Sequence, residues 1–103
     1  SAVFTADSTF SCYIARQVKW GDDEPAARIV LRYTVTPEGD TVVAQELEST
    51  DSRLKRRVLK AVAEAPRWTP ARKNGTPVES EGILHIQLPE GKLMPRQVEL
   101  VWR

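Results

Sequence analysis

"ARIVLRYTVTPEGDTVVAQELES", residues 27–49, is the stretch whose reading decides the fold. Ile29, Leu31, Tyr33 and Val35 alternate with Arg28, Val30, Arg32 and Thr34. A period of two puts one apolar set on one face of an extended strand. Pro37-Glu38-Gly39-Asp40 supplies a turn, and the β-rich run at 41–49 returns, so the segment predicts an antiparallel hairpin with strands at 27–36 and 41–49. Val42 and Val43 fall on opposite faces of any regular strand. The second strand's register is therefore open, and a bulge is one solution.

Helical periodicity flanks the hairpin on both sides. In "STFSCYIARQVK", residues 8–19, Phe10, Tyr13, Ile14 and Val18 recur at i, i+3, i+4 and i+8, with Asp7 or Ser8 placed to cap the start. In "DSRLKRRVLKAVAEA", residues 51–65, Leu54, Val58, Ala61, Val62 and Ala65 form one stripe, with Thr50 or Asp51 as the cap. Pro66 and Pro70 stop that helix. Asn74-Gly75 marks a tight hairpin because both residues tolerate positive φ. Trp68 has a large apolar face suited to the space beneath the helix that has just ended. "GILHIQL" at 82–88 reads as a third main strand with Leu84, Ile86 and Leu88 on one face; "PEGKLMP" breaks it, and "QVELVWR" at 97–103 reads as a fourth. The order α-β-β-α-β plus a C-terminal strand makes an α+β fold, with both helices on one face of a small antiparallel sheet.

The bulk properties bound the function. The chain has 103 residues, enough for a single domain over 1–103. Fifteen Lys and Arg against 14 Asp and Glu give a net charge of +1. That balance argues against a nucleic-acid binder, which needs a clear basic excess on one face. No apolar run is long enough to span a bilayer, and "SAVFTAD" lacks the basic start and apolar core of a signal peptide. The chain reads as a domain cut from a longer protein.

Little in the sequence supports bond chemistry. There is one His and one Cys, and no phosphate-binding Gly-rich loop, CxxC, HExxH or GxSxG motif. His85 shares strand parity with Glu79 and Glu81, but a metal site needs more ligands than a single strand brings together, and a solvent-facing histidine is the better reading. Nothing near Cys12 supplies the base or electropositive setting of a nucleophile. No catalytic residue, metal or cofactor is expected. The basic run "RLKRR" at 53–57 puts Arg53, Arg56, Arg57 and Lys60 opposite the apolar stripe. It reads as a solvated helix face, with an electrostatic patch for an anionic partner as the sharper alternative. A small sheet does have edges, and unpaired edge groups accept an extended peptide as an extra strand.

"LKRRVLKAVAEA" at 54–65 followed by "RWTPARKNGTPV" at 67–78 resembles the C-terminal domain of TonB-family energy transducers, most of all the version found in Bacteroidetes-type bacteria. "IARQVKW", "RIVLRYTVTPEGDTV" and "ESTDSRLKRRVLKAV" agree with it, so the resemblance covers roughly residues 10–89. It departs at Trp20-Gly21, where the family often has Tyr-Pro, and at "PAAR", where a Gly often precedes the first strand. The resemblance implies a periplasmic, non-enzymatic domain. In the family, the strand corresponding to 82–88 lies at the sheet edge and pairs with the TonB box, an extended segment of an outer-membrane transporter. The implied partner-binding residues are Ile83, Leu84, His85, Ile86, Gln87 and Leu88. An inner-membrane motor complex, reached through an N-terminal anchor and proline-rich spacer outside this chain, then drives the transporter. The addition at 90–103 is expected to fold back beside 82–88, or to swap into a second molecule and make a homodimer. A TonB-like structural or interaction module of the envelope, its edge closed by this tail or by dimerisation, is the alternative reading.

Overall fold

The computed structural model describes residues 2–4, 9–88 and 97–102, the side chains of Ser11 and 97–102 excepted. In chain order the elements are β1 (Val3–Phe4), α1 (Phe10–Gln17), β2 (Ala27–Val35), β3 (Thr41–Ser49) and α2 (Ser52–Ala63). They are followed by β4 (Trp68–Thr69), β5 (Ala71–Lys73), β6 (Thr76–Val78), β7 (Ser80–Leu88) and β8 (Gln97–Trp102). The main sheet is antiparallel throughout, with strand order β3-β2-β7-β8. Two small two-stranded pairs, β1-β4 and β5-β6, complete the described strands. The α+β class expected from the pattern is the one observed.

Strand periodicity builds the core. Ile29, Leu31, Tyr33 and Val35 of β2 and Leu84, Ile86 and Leu88 of β7 are buried, and they join one cluster with Phe10, Ile14 and Val18 beside α1 and Leu54, Val58 and Val62 of α2. Both helices therefore lie on this face. Removing these side chains from water is the main stabilising term of a domain this small. The alternate residues Arg28, Val30, Arg32 and Thr34 of β2 and Ile83, His85 and Gln87 of β7 stay half-exposed on the opposite face.

The helix ends correct the cap assignment in one case and select it in the other. Thr9 caps α1, its Oγ1 accepting from the Cys12 N–H at 3.3 Å. Asp7 and Ser8, proposed as caps from the sequence, lie outside the described residues and are not needed for this bond. At α2 the cap is Asp51, whose Oδ1 accepts from the N–H groups of Arg53 at 2.8 Å and Leu54 at 3.3 Å. These bonds satisfy donors that the first helical turn leaves unpaired. The Tyr13 hydroxyl donates to the Ala61 carbonyl at 3.2 Å, tying α1 to the last turn of α2.

The ambiguity at Val42 and Val43 is resolved by two irregularities. The β2–β3 register shifts between Val30 and Leu31 and again between Arg32 and Tyr33, so that Leu47 and Ala44 have no residue directly opposite. Val43 thereby reaches the core while Val42 stays 49% exposed. The Asn74-Gly75 turn joins β5 to β6 with φ of 55° and 80°, the two positive values of a type I′ turn. The break at "PEGKLMP" lies outside the described residues.

Trp68, expected beneath α2, packs against residues of β1, α1 and β2. It is 4% exposed, and its ring contacts Phe4, Phe10 and Tyr33 with centroid separations of 5.1, 5.1 and 6.2 Å. Its Nε1–H donates to Thr41 Oγ1 at 2.9 Å. Through β4 it also pairs with Phe4 of β1, a long-range strand contact that no local pattern announces.

Candidate functional site: β7 and its outer side

The six residues expected to bind a partner occupy β7 in alternating environments. Leu84, Ile86 and Leu88 are buried against the helices, while Ile83, His85 and Gln87 stand half-exposed on the open face. On one side β7 pairs with β2 along its whole length, from Ser80 opposite Val35 to Leu88 opposite Ala27. On the other it pairs with β8, from Gly82 opposite Trp102 to Gln87 opposite Gln97, with no break in register. The backbone groups of 82–87 that face away from β2 therefore face β8, so β7 is an interior strand of this sheet and not the edge strand that the resemblance implies. The Gln87 Nε2 also donates to the Ala27 carbonyl at 3.3 Å, closing the β2 end of the sheet.

The opposite edge of the sheet is built differently. β3 carries both register shifts, and bulges twist an edge out of the geometry another strand needs. Charged pairs also line it: Arg28 with Glu48 and Lys55 with Glu46, each at 3.1 Å. Such exposed pairs contribute little stability, but inserted charge discourages edge-to-edge pairing. The sheet thus has one blunted side and one regular side.

Arg53, Arg56 and Lys60 of the basic run are exposed, as a solvated helix face requires, but Arg53 and Arg57 are also engaged locally. Arg57 Nη1 donates to the Lys19 carbonyl at 2.6 Å and to Glu24 Oε1 at 2.9 Å. Arg53 donates to Asp51, Nη2 to Oδ2, at 2.9 Å. Both guanidinium groups also lie over the Trp20 ring, at 5.0 Å for Arg57 and 5.6 Å for Arg53. Trp20 itself is 7% exposed, and its Nε1–H donates to the Pro25 carbonyl at 2.9 Å. The hydrogen bond from Arg57, then the one from the Gly21 N–H, hold the Glu24 carboxyl below its usual range. The Arg53 hydrogen bond is the main reason the Asp51 carboxyl falls to about 2. The clamp fixes the loop after α1 onto α2. The sequence reading missed it because Trp20 and Glu24 sit in a polar turn far along the chain from Arg53 and Arg57 of α2.

Among the described residues, no three His, Cys, Asp or Glu side chains converge on a point that would hold a metal ion. Cys12 is exposed on α1. No helix among the described residues is long and apolar enough to cross a membrane.

A family model described as the Gram-negative bacterial TonB protein C-terminal matches residues 25–87. No curated protein and no solved structure matches the chain. The matched span takes in β2, β3, α2, the β5–β6 hairpin and β7 up to Gln87, and it leaves out α1 and β8. The match spans more than half of the chain, and the chain therefore belongs to the Gram-negative bacterial TonB C-terminal family, a non-enzymatic interaction family of the cell envelope.

Proposed function

We propose that this is a periplasmic domain that takes up an extended segment of an outer-membrane transporter as an added strand on β7, and passes ion-gradient-derived force to it for nutrient uptake. The observation that carries this reading is the asymmetry of the sheet. The β3 edge is bulged and charged, whereas β7 runs without a bulge, closes the family-matched region, and is covered on its outer side by a strand from beyond that region. A peptide that replaces β8 inherits a straight row of backbone donors and acceptors. Several backbone hydrogen bonds at 83–88 then share a pulling load. The inner-membrane motor complex would act through chain N-terminal to this domain.

The test is an NMR titration of the full chain with N-terminal plug peptides of several cognate transporters. Shifts in the amides of Ile83–Leu88 support the reading. Unchanged β7 amides with every peptide reject it.

A second reading is favoured by the unbroken β7–β8 register itself. In it the domain is a structural or interaction module of an envelope protein, its edge closed by its own C-terminal strand or by exchange of that strand in a homodimer. An N-terminal transmembrane helix and proline-rich spacer in the full gene favour the transducer over the module.

A further inference from the structure

β8 holds the outer edge of β7 over six consecutive pairs: Gly82 with Trp102, Ile83 with Val101, Leu84 with Leu100, His85 with Glu99, Ile86 with Val98, and Gln87 with Gln97. Directly opposed residues share a face of the sheet. Two of these rows have a chemistry of their own.

The first row runs Tyr33, Gly82, Trp102 across β2, β7 and β8. A Cβ at Gly82 would run into the hydroxyl and ring of Tyr33. The glycine is therefore the space that the Tyr33 side chain fills from the β2 side. Glycine packs nothing of its own in a strand, and an aromatic residue opposite it compensates. The second row runs Val30, His85, Glu99. Val30 and His85 are on the half-exposed face, and the register sets an acidic residue directly opposite the histidine, a pairing of a nitrogen donor type with an acceptor type. On either side of the His85 row, Leu84 and Ile86 belong to the buried face and stand opposite Leu100 and Val98.

We propose that β8 stands in for a partner strand, and that its sequence states what the β7 edge selects. The partner is an antiparallel segment with an aromatic residue opposite Gly82, aliphatic residues opposite Leu84 and Ile86, and a carboxylate opposite His85. Gly82 and His85 are then the residues of β7 that set specificity. This rests on the strand-addition reading above and adds direction, register and side-chain chemistry to it.

The test uses the full chain with Val98→Pro and Val101→Pro. Neighbouring residues send their N–H groups to opposite sides of a strand, so one even and one odd proline remove donors of both sets and free the β7 edge. Three synthetic peptides with the sequence of residues 97–103 are titrated by NMR: the unaltered one, one with Glu99→Lys and one with Trp102→Ala. The unaltered peptide shifts the amides of 82–87. From typical cross-strand pair energies, Glu99→Lys weakens binding about threefold and Trp102→Ala about fivefold. In a chain that also carries His85→Glu, the order of the unaltered and Glu99→Lys peptides reverses. The unmodified chain at higher peptide concentration gives the same ranking, so an unfolded proline variant does not remove the test. Equal affinities for the three peptides overturn the selectivity while leaving strand addition standing. Unmoved β7 amides overturn both. Shifts that follow protein concentration rather than peptide make the occupant a second copy of this chain and overturn the proposed foreign strand.

Discussion

Gly39 and Trp68 touch through their backbones. The Trp68 N–H donates to the Gly39 carbonyl at 2.8 Å, and Gly39 has φ of 90°. A Cβ on Gly39 would overlap the Trp68 carbonyl. The turn of the β2–β3 hairpin is thus docked on the strand that follows α2. Two of the stretches that resemble the TonB C-terminal family, "RIVLRYTVTPEGDTV" and "RWTPARKNGTPV", meet at this point. After Pro66 ends the helix, the chain is pinned to the hairpin turn at Trp68 before it enters β7.

Two glycines with similar φ separate steric from conformational cost. Gly39 has backbone against its missing Cβ, whereas Gly75, with φ of 80°, has nothing within 4 Å of that position. Gly75→Ala should cost about 1 kcal/mol, the usual penalty for a left-handed residue. Gly39→Ala should cost about 3 kcal/mol, because strain and the displaced Trp68 backbone add to that penalty. Urea denaturation of the two variants measures the difference. Equal midpoints would mean that the contact at Trp68 relaxes freely.

Trp68→Ala should destabilise the domain by about 3–5 kcal/mol, the range for truncating a buried aromatic residue. Trp68→Phe keeps most of the ring packing but loses the bond to Thr41 Oγ1, so it should cost about 1–2 kcal/mol. A wild-type melting curve for Trp68→Ala would contradict the burial of the side chain at 4% exposure.

The two faces of β7 should respond in opposite ways to charge. Leu84 is 1% exposed and Ile83 half-exposed. Leu84→Asp buries an unpaired carboxylate and should abolish folding. Ile83→Asp should leave the far-UV circular dichroism spectrum folded. The reverse pattern would mean that the strand's faces are exchanged.

Asp51 sets an acid-dependent term. Its carboxyl is depressed from 3.8 to about 2, first by the Arg53 hydrogen bond. A depressed carboxyl stabilises the folded state above its unfolded pKa, and the contribution is lost as pH falls through the folded value. Asp51→Asn keeps a capping oxygen but has no charge to titrate. Wild type should exceed Asp51→Asn in stability at pH 5, and the gap should close between about pH 4 and pH 2. Denaturant unfolding across that range measures it. A gap that persists unchanged at pH 2 would contradict the assignment.

The main strands and both helices were legible because their periodicity is local. Ile29 to Val35, Leu84 to Leu88 and Leu54 to Val62 each state their buried face within a few residues. The conflict between Val42 and Val43 correctly flagged an irregular strand, but the places of the shifts depend on β2. What the pattern could not show depends on distant pairing. Phe4 reaches Trp68, Arg57 reaches Glu24 and Lys19, and Trp20 is buried beneath two guanidinium groups although it stands between Lys19 and Gly21. The α1 cap is Thr9 because its hydroxyl, three residues before Cys12, is placed to reach that N–H. The candidate site was legible as a strand with one apolar face. The occupant of its outer edge became defined only once the β8 register was known.

The central claim is that a partner strand replaces β8 on β7. Amide hydrogen exchange of the full chain, with and without a transporter plug peptide, tests it most directly. The account predicts that amides of 83–88 stay protected while those of 97–102 lose protection as the peptide binds. Binding with both strands still protected, and with changes confined to other surfaces, would contradict it.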